Sequence, residues 1–384
     1  MRAPSESDFG SRLRSAAVAA RVGTWLGVCF LVAFVTGLVS HYAQTGHQPV
    51  PFPASPAWGY RLTQGVHVAA GTAAVPLLLV KLWTVYPRLF QPLPRGRARA
   101  LVLAGLERGS IAVLVAAAIF QLVTGLANAA QWYPWSFSFR SSHYAIAWVA
   151  IGALLLHVAV KLPVVRDAWL TDVDGTTHDR PAAVEPGSLT RRGLLRTTWL
   201  AAGVAVVATA ASGVPGLRRA SVLAVRSGEG PGGVPINRSA AAAGVTADAV
   251  GPSYRLQVAH GDRLVELSRD DLVAMPQATE VLPIACVEGW SASGTWTGVR
   301  LRDLLALVGA PADSTVRLTS LQTRYAFGTS TLPGQFAADP RTLLALGLAG
   351  EDLALDHGFP CRLIAPDRPG VLQTKWVRRI EVLA

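Results

Sequence analysis

The chain is poor in charge and in cysteine. Of its 384 residues only 15% are Asp, Glu, Lys or Arg, whereas 51% are hydrophobic, and the mean hydropathy is positive. That balance excludes a disordered chain and points to a membrane protein with a sizeable soluble part. Three cysteines are too few for a disulfide framework. Cys29 lies in an apolar run, so at most one bridge, between Cys286 and Cys361, is open to the chain. Acidic residues are scarce in the first half: residues 1–216 carry 18 Lys and Arg against 8 Asp and Glu, and residues 217–384 carry 17 against 16. The net charge of +11 thus gathers beside the apolar stretches, where it sets orientation. No basic stripe is interleaved with aromatics, which argues against a nucleic-acid surface. No internal repeat or low-complexity tract is evident.

What the chain does have is long apolar runs. Four have spanning length, about Val22–His41, Leu62–Thr84, Gly109–Ala129 and Tyr144–Pro163, and a fifth covers about Thr197–Val214. The first is as long as a full span and begins only after Arg21, so it reads as a membrane segment and not as a cleavable leader. Arg2, Arg12, Arg14 and Arg21 precede the first run. Arg88, Arg95, Arg97, Arg99 and Arg108 follow the second, and Lys161, Arg166, Arg180, Arg191, Arg192 and Arg196 follow the fourth. The alternate loops, 42–61 and 130–143, hold only Arg61 and Arg140. Counting positive charge places the N-terminus in the cytoplasm and residues 217–384 outside. Trp132, Tyr133 and Trp135 at one end of span three, and Trp83 and Tyr86 at one end of span two, look like interface anchors. Residues 170–190 and 227–237 read as linkers.

Arg191 and Arg192 directly precede the fifth run, whose core is weakly apolar and rich in Ala and Gly. The segment resembles a bacterial twin-arginine export signal, here internal to the chain. The resemblance implies export of an already folded, cofactor-loaded domain by the twin-arginine machinery. The alternative is an ordinary fifth membrane helix with arginines on its inner flank. Small residues at Ala208–Gly213 could suit a cleavage site, but the span is expected to stay intact as an anchor.

The runs contain histidines, and ionisable residues inside a membrane segment default to function. His143 and His157 lie fourteen residues apart, about 21 Å of helix and within about 40° of the same face. His67 lies near the outer end of span two and His41 ends span one on the same side. Histidines facing one another across a bundle suit a haem iron. By depth, His67 and His143 can share one haem, with His41 and His157 as further candidate ligands. Gly71 and Gly125 would allow close approach of a ring or of a neighbouring helix. The four spans resemble the b-type cytochrome subunits of membrane formate dehydrogenases and hydrogenases, which pair histidines fourteen apart on the fourth helix and bind two haems. Their inner haem takes a histidine from the cytoplasmic start of helix one, where Arg21–Gly27 has none.

The rest of the chain alternates short strands and helices. Tyr254–Val258 and Arg263–Leu267 form an expected hairpin about Gly261, and Asp270–Met275 and Leu301–Val308 expected helices. Thr315–Leu321, Arg362–Ile364 and Val377–Val382 are expected strands. Cys286 sits in Ile284-Ala285-Cys286-Val287-Glu288-Gly289-Trp290, followed by a Gly/Ser/Thr-rich stretch, Ser291–Gly298. A thiolate is a soft ligand suited to a transition metal. Downstream come Asp356-His357-Gly358-Phe359-Pro360, Arg362-Leu363-Ile364, Pro366–Gly370 and Lys375-Trp376-Val377. In this order they resemble the molybdopterin-binding domain of the sulfite oxidase family over about 235–384. That resemblance implies that Cys286 ligates molybdenum and is catalytic. It also implies that Arg238, Trp290, His357, Arg362, Arg368 and Lys375 contact the cofactor. Cys361 reads as core, and Arg324, Arg368 and Lys375 supply positive charge for a phosphate or an anionic substrate. The chain departs from two branches of the family: it lacks the Asn- and His-bearing segment before the cysteine, and the arginine cluster after it.

The expected architecture is multi-domain. Residues 1–21 are a cytoplasmic N-terminus, 22–163 a four-helix transmembrane b-type cytochrome domain and 164–196 a cytoplasmic linker with the twin arginines. Residues 197–215 are a fifth transmembrane segment, 216–234 a linker and 235–384 an α+β, β-rich molybdopterin domain. The expected function is a membrane-anchored, extracytoplasmic molybdenum oxidoreductase that passes electrons between molybdopterin and haem b, acting on a small-molecule substrate with a quinone or other redox partner. The alternatives are an electron-transfer cytochrome with a non-catalytic exported domain, and a molybdoenzyme with a haem-free anchor.

Overall fold

The computed structural model describes residues 5–383 except 46–47, 93–97, 177–178, 180–186, 212–213, 215–216, 225–229 and 325–326. Arg95, Arg97, Arg180 and the end of the Ala208–Gly213 segment fall outside the described residues, as does Arg2. Two compact units emerge. One comprises 1–37, 66–211 and 219–223, and the other 38–65, 212–218 and 224–384.

The long helices are α1 (Ala16–Ala43), α2 (Gly59–Val85), α3 (Ala98–Ala129), α4 (Phe139–Leu170) and α5 (Arg191–Ala210); the first unit takes α1 up to 37, α2 from 66, and α3 to α5, and the end of α1 and first turns of α2 belong to the second. Each is long and apolar enough to cross a membrane by length and composition. α1 to α4 extend beyond the expected apolar runs at one or both ends, because the flanking residues are helix formers even where they are polar. On α3 the buried residues Ala117, Gln121, Thr124 and Asn128 recur at the spacing of one helical face. Leu155, Leu156, Val160 and Leu162 on α4 remain exposed. α5 begins at Arg191 and not near Thr197, since the Thr190 hydroxyl accepts from the Gly193 N–H at 2.9 Å and caps the helix there.

Among the described residues, the second unit holds ten strands. β1 (Leu256–His260) and β2 (Arg263–Leu267) form the expected hairpin, with Gly261 at φ 56°. β3 (Gln277–Ala285) and β4 (Ser291–Arg300) pair antiparallel along their whole length. β5 (Val316–Ser320), β6 (Thr329–Leu332), β7 (Leu343–Leu348), β8 (Glu351–Asp352), β9 (Arg362–Ile364) and β10 (Val377–Val382) complete two sheets. One runs β2-β1-β10-β5-β6 with β1 and β10 parallel. The other runs β3-β4-β7-β8 with β9 also on β7. Leu256, Leu318 and Ile380 of the first sheet and Val299, Leu344 and Leu346 of the second close one core around the helix Leu301–Leu307. The helix Arg269–Ala274 starts on a capping box of Ser268 and Asp271.

β4 is the main departure from expectation, because Ser291–Gly298 is strand. Its small residues answer to close packing. A Cβ on Gly298 would lie 2.2 Å from the Leu344 carbonyl oxygen, and one on Gly294 would lie 2.9 Å from the Trp296 ring. The β4–β7 register also shifts at Thr297/Gly298. The proline-bearing segment between α1 and α2 packs on this unit: Gln335 Nε2 donates to the Phe52 carbonyl at 3.0 Å, and Arg341 Nη2 to Ser55 Oγ at 2.8 Å. Gly298→Ala is expected to destabilise this unit by about 1–3 kcal/mol or more through overpacking, read by chemical denaturation of the purified chain; an unchanged midpoint would refute the close approach.

Candidate functional site

Cys286 occupies the loop that joins β3 to β4. Its N–H donates to the Trp290 carbonyl at 2.9 Å and its carbonyl accepts from Gly289 at 3.0 Å, with Gly289 at φ 95°, a conformation suited to glycine. Trp290 is buried and donates through Nε1 to the Glu288 carboxylate at 3.0 Å. Cys286 is 1% exposed. Burial, and then the Glu288 carboxylate, push its thiol far above the ordinary range, so without a metal the sulfur keeps its proton at neutral pH. Ligation by a metal cation reverses that preference.

Half-buried Lys375 lies within electrostatic reach of Cys286 and neighbours the buried Arg362, and a third cation, Arg368, is buried over the Phe336 ring. Lys375 Nζ donates to the backbone carbonyls of Arg238 at 2.5 Å and Asp356 at 2.9 Å. Arg362 donates to the carbonyls of His357 at 2.9 Å and Gln373 at 3.3 Å, and its Nε has no partner. Arg368 donates to the carbonyls of Leu372 at 3.2 Å and Thr331 at 2.6 Å. None of the three joins an ion pair among the described residues. Burial and the neighbouring Arg362 lower Lys375 to about 7, and Cys286 lies within its electrostatic reach. Burial, then Arg362 and Lys375, hold His357 near 4, so it is neutral at pH 7, and its Nε2 lies 3.0 Å from the Pro231 carbonyl. Buried cations compensated only by carbonyl dipoles leave an anion wanting. A phosphate-bearing cofactor fits that need.

The other expected positions are accounted for individually. Arg238 contributes its carbonyl to Lys375. Cys361 is fully buried core, with Sγ 3.1 Å from Tyr254 Oη. The Cys286–Cys361 bridge considered from composition does not form; the two thiols lie in different apolar clusters and all three cysteines are free. Arg324 flanks Gly244, where a Cβ would approach its side chain at 3.3 Å.

In the helical unit the rings of His67 and His143 stand edge to face, with centroids 6.4 Å apart and planes at 70°. That separation is compatible with one metal ion held by a nitrogen of each ring at about 2.0–2.1 Å. His67 Nδ1 lies 2.8 Å from the Ala33 carbonyl and 3.3 Å from Thr36 Oγ1. His143 Nδ1 lies 3.0 Å from Thr124 Oγ1. Gly37 leaves room for the His67 ring, since a Cβ there would stand 3.1 Å from its Cε1 atom, whereas a Cβ on Gly125 would meet the His143 Cε1 atom at an ordinary 3.7 Å. A Cβ on Gly71 would meet nothing within 4 Å. His41, in the last turn of α1, and His157 are not members of the ring pair; His157 lies within electrostatic reach of Lys81, Lys161 and Glu107. Thr36, Gly37 and Thr124 were not foreseen, although Val-Thr-Gly-Leu occurs twice, at 35–38 and at 123–126.

The two arginines ahead of α5 differ sharply. Arg191 is buried, with Nε donating to the Arg12 carbonyl at 2.7 Å, Nη1 to the Gly175 carbonyl at 2.8 Å and Nη2 paired with Asp179. Arg192 is exposed and pairs with Asp172 and Asp174, each at 2.9 Å.

Residues 243–384 match the family of the oxidoreductase molybdopterin-binding domain. Among curated proteins, the Azospira oryzae subunit YedZ1, whose name refers to protein-methionine-sulfoxide reductase, is 35% identical over 113 residues, 29% of this chain and 42% of that protein. Mitochondrial sulfite oxidase of Rattus norvegicus is 31% identical over 159 residues, 34% of this chain and 29% of that one. The protein-methionine-sulfoxide reductase catalytic subunit MsrP of Gluconobacter oxydans is 30% identical over 138 residues, 31% and 43%. The chain thus spans less than half the length of each of these relatives.

The Pro366–Gly370 loop packs under Cys286: Ala285 bridges to Pro369, and a Cβ on Gly370 would lie 2.9 Å from the Ala285 carbonyl oxygen. Within it, Asp367 is buried and accepts from the Tyr60 N–H in the first turn of α2. Burial raises its carboxyl to about 6, against the lowering pull of the Tyr60 bond and of Arg341. A carboxyl raised on folding binds its proton more tightly in the native state, so stability declines as pH climbs from the ordinary value to about 6. Asp367→Asn should therefore raise the thermal midpoint above pH 6 and leave it nearly unchanged near pH 4. A midpoint lowered equally at both values would show that the carboxylate is favourable there.

Proposed function

We propose that this protein is a membrane-anchored, extracytoplasmic molybdenum oxidoreductase that exchanges electrons between a molybdopterin centre and a membrane haem b. The observation that carries this reading is the pair of carbonyl-bonded cations, Lys375 and the buried Arg362, of which Lys375 lies within electrostatic reach of Cys286. In this reading Cys286 supplies the thiolate to molybdenum. Lys375, Arg362 and His357 line the place of the cofactor, with Arg368, Arg238 and Trp290 shaping its surroundings. The bound group supplies two-electron chemistry, commonly oxygen-atom transfer, on a small-molecule substrate. The chain's own share is to bury the thiol, to exclude water and to hold positive charge where the cofactor's phosphate would lie.

The helices give the second half. α1 to α4 cross the membrane with the N-terminus in the cytoplasm, and α5 carries residues 217–384 out. The domain division is the one expected from the sequence, 22–163 for the bundle and 235–384 for the molybdopterin domain, with α5 as an uncleaved anchor. His67 and His143 clamp one haem, and quinone is a suitable exchange partner for its electrons. His41 and His157 are left outside that pair, which favours one haem over two. The fifth span reads as a twin-arginine signal because the domain must load its cofactor before it crosses.

Metal and haem analysis of one purified sample tests both halves. Cys286→Ser should keep the fold and abolish molybdenum-dependent turnover; full turnover would remove the cysteine from the site. His67→Ala or His143→Ala should eliminate the haem absorbance, whereas His157→Ala should retain most of it; a halved haem content in the His157 variant would establish a second haem. Changing Arg191 and Arg192 together to Lys keeps the charge but not the fork geometry of the guanidinium pair. External protease should then spare residues 217–384 in spheroplasts of that variant and digest them in the wild type. Equal digestion would mark α5 as an ordinary membrane helix.

A further inference from the structure

The two paired histidines are served by the same tetrapeptide. Val35-Thr36-Gly37-Leu38 on α1 meets His67, and Val123-Thr124-Gly125-Leu126 on α3 meets His143. In each, the threonine hydroxyl reaches Nδ1 and the glycine lies against the ring, closely at Gly37 and at ordinary contact distance at Gly125. The hydroxyl has a single proton, and both threonines have a partner for it one turn back. Thr36 Oγ1 donates to the Val32 carbonyl at 2.6 Å, and Thr124 Oγ1 to the Phe120 carbonyl, also at 2.6 Å. With that proton committed, the hydroxyl oxygen can only accept from the imidazole. Nδ1 must then carry the ring proton, and the lone pair of a neutral imidazole is left on Nε2.

We propose that Thr36 and Thr124 are paired positioning residues. Thr124 fixes His143, and Thr36 together with the Ala33 carbonyl fixes His67, in the Nδ1–H tautomer, which leaves both Nε2 atoms free for one metal. The proposal rests on the haem reading above and extends it to the groups that orient the ligands. It also predicts an asymmetry. His67 has a second acceptor, the Ala33 carbonyl at 2.8 Å, whereas Thr124 is the one acceptor found for His143 Nδ1 among the described residues. An acceptor on the ring N–H makes the ligating nitrogen more basic and favours the oxidised metal. Loss of Thr124 should therefore act more strongly than loss of Thr36, and should raise the reduction potential.

The test is redox titration of the purified full chain, followed by haem absorbance. Thr124→Val is expected to shift the one-electron equilibrium towards the reduced haem by about tenfold, roughly 59 mV upward. Thr124→Ser should restore the wild-type potential, and Thr36→Val should shift it by less. A wild-type potential in Thr124→Val, or a larger shift in Thr36→Val, overturns the proposal. If Thr124→Val loses its haem, Thr124→Ser must keep it, and loss in both overturns the proposal as well. Failure of the underlying haem reading looks different: the wild type and all threonine variants would then lack haem absorbance, and the proposal would fall with it.

Discussion

A cation withdrawn from water must be compensated, and the C-terminal unit is organised around several that are compensated only in part. Arg362, Arg368 and Lys375 lean on backbone carbonyls and on no carboxylate among the described residues. Carbonyl dipoles soften the cost of burial without neutralising the charge. The surrounding backbone must therefore be rigid enough to hold the carbonyls in place, and β9 and most of the loop that follows it are buried. A sheet that satisfies its own hydrogen bonds can keep a site whose charge balance is completed from outside. Cys286 depends on the same arrangement from the other side, since its thiol is costly to ionise until a cation meets it.

Much of this was legible in the sequence, for reasons that differ by element. The five apolar helices were visible because apolar length is a strong signal, although their ends were not, since polar flanks continue a helix at little cost. The Cys286 setting and the His-Gly, Arg-Leu and Lys-Trp segments were legible as an ordered series of rare residue types. Strand β4 was hidden because its small residues serve β7, a neighbour distant in sequence. The same holds for the packing of Phe52 and Ser55 on the C-terminal unit, and for Asp367 at the first turn of α2. The depth argument for His67 and His143 needed only helix geometry. Their threonine partners needed the packed bundle, although the doubled Val-Thr-Gly-Leu stood in plain view.

The two sites handle protons in opposite ways. At Cys286 the fold withholds ionisation, so that charge appears only with the metal. At the histidine pair, on the proposed reading, the rings are oriented by hydroxyls whose own protons are already placed. On that reading the first site waits for the charge of its metal, and the second would take a metal with its tautomers already set.

The burial of Arg191 bears on timing of another kind. Its guanidinium is bound by a carbonyl from the N-terminal segment and by groups of the segment after α4. Arg192, one residue on, stays at the surface. Any receptor that reads the two as a pair must therefore compete with the finished fold for one side chain. If the two are an address, as proposed, they would be readable only while those segments are undocked, and docking them would erase it.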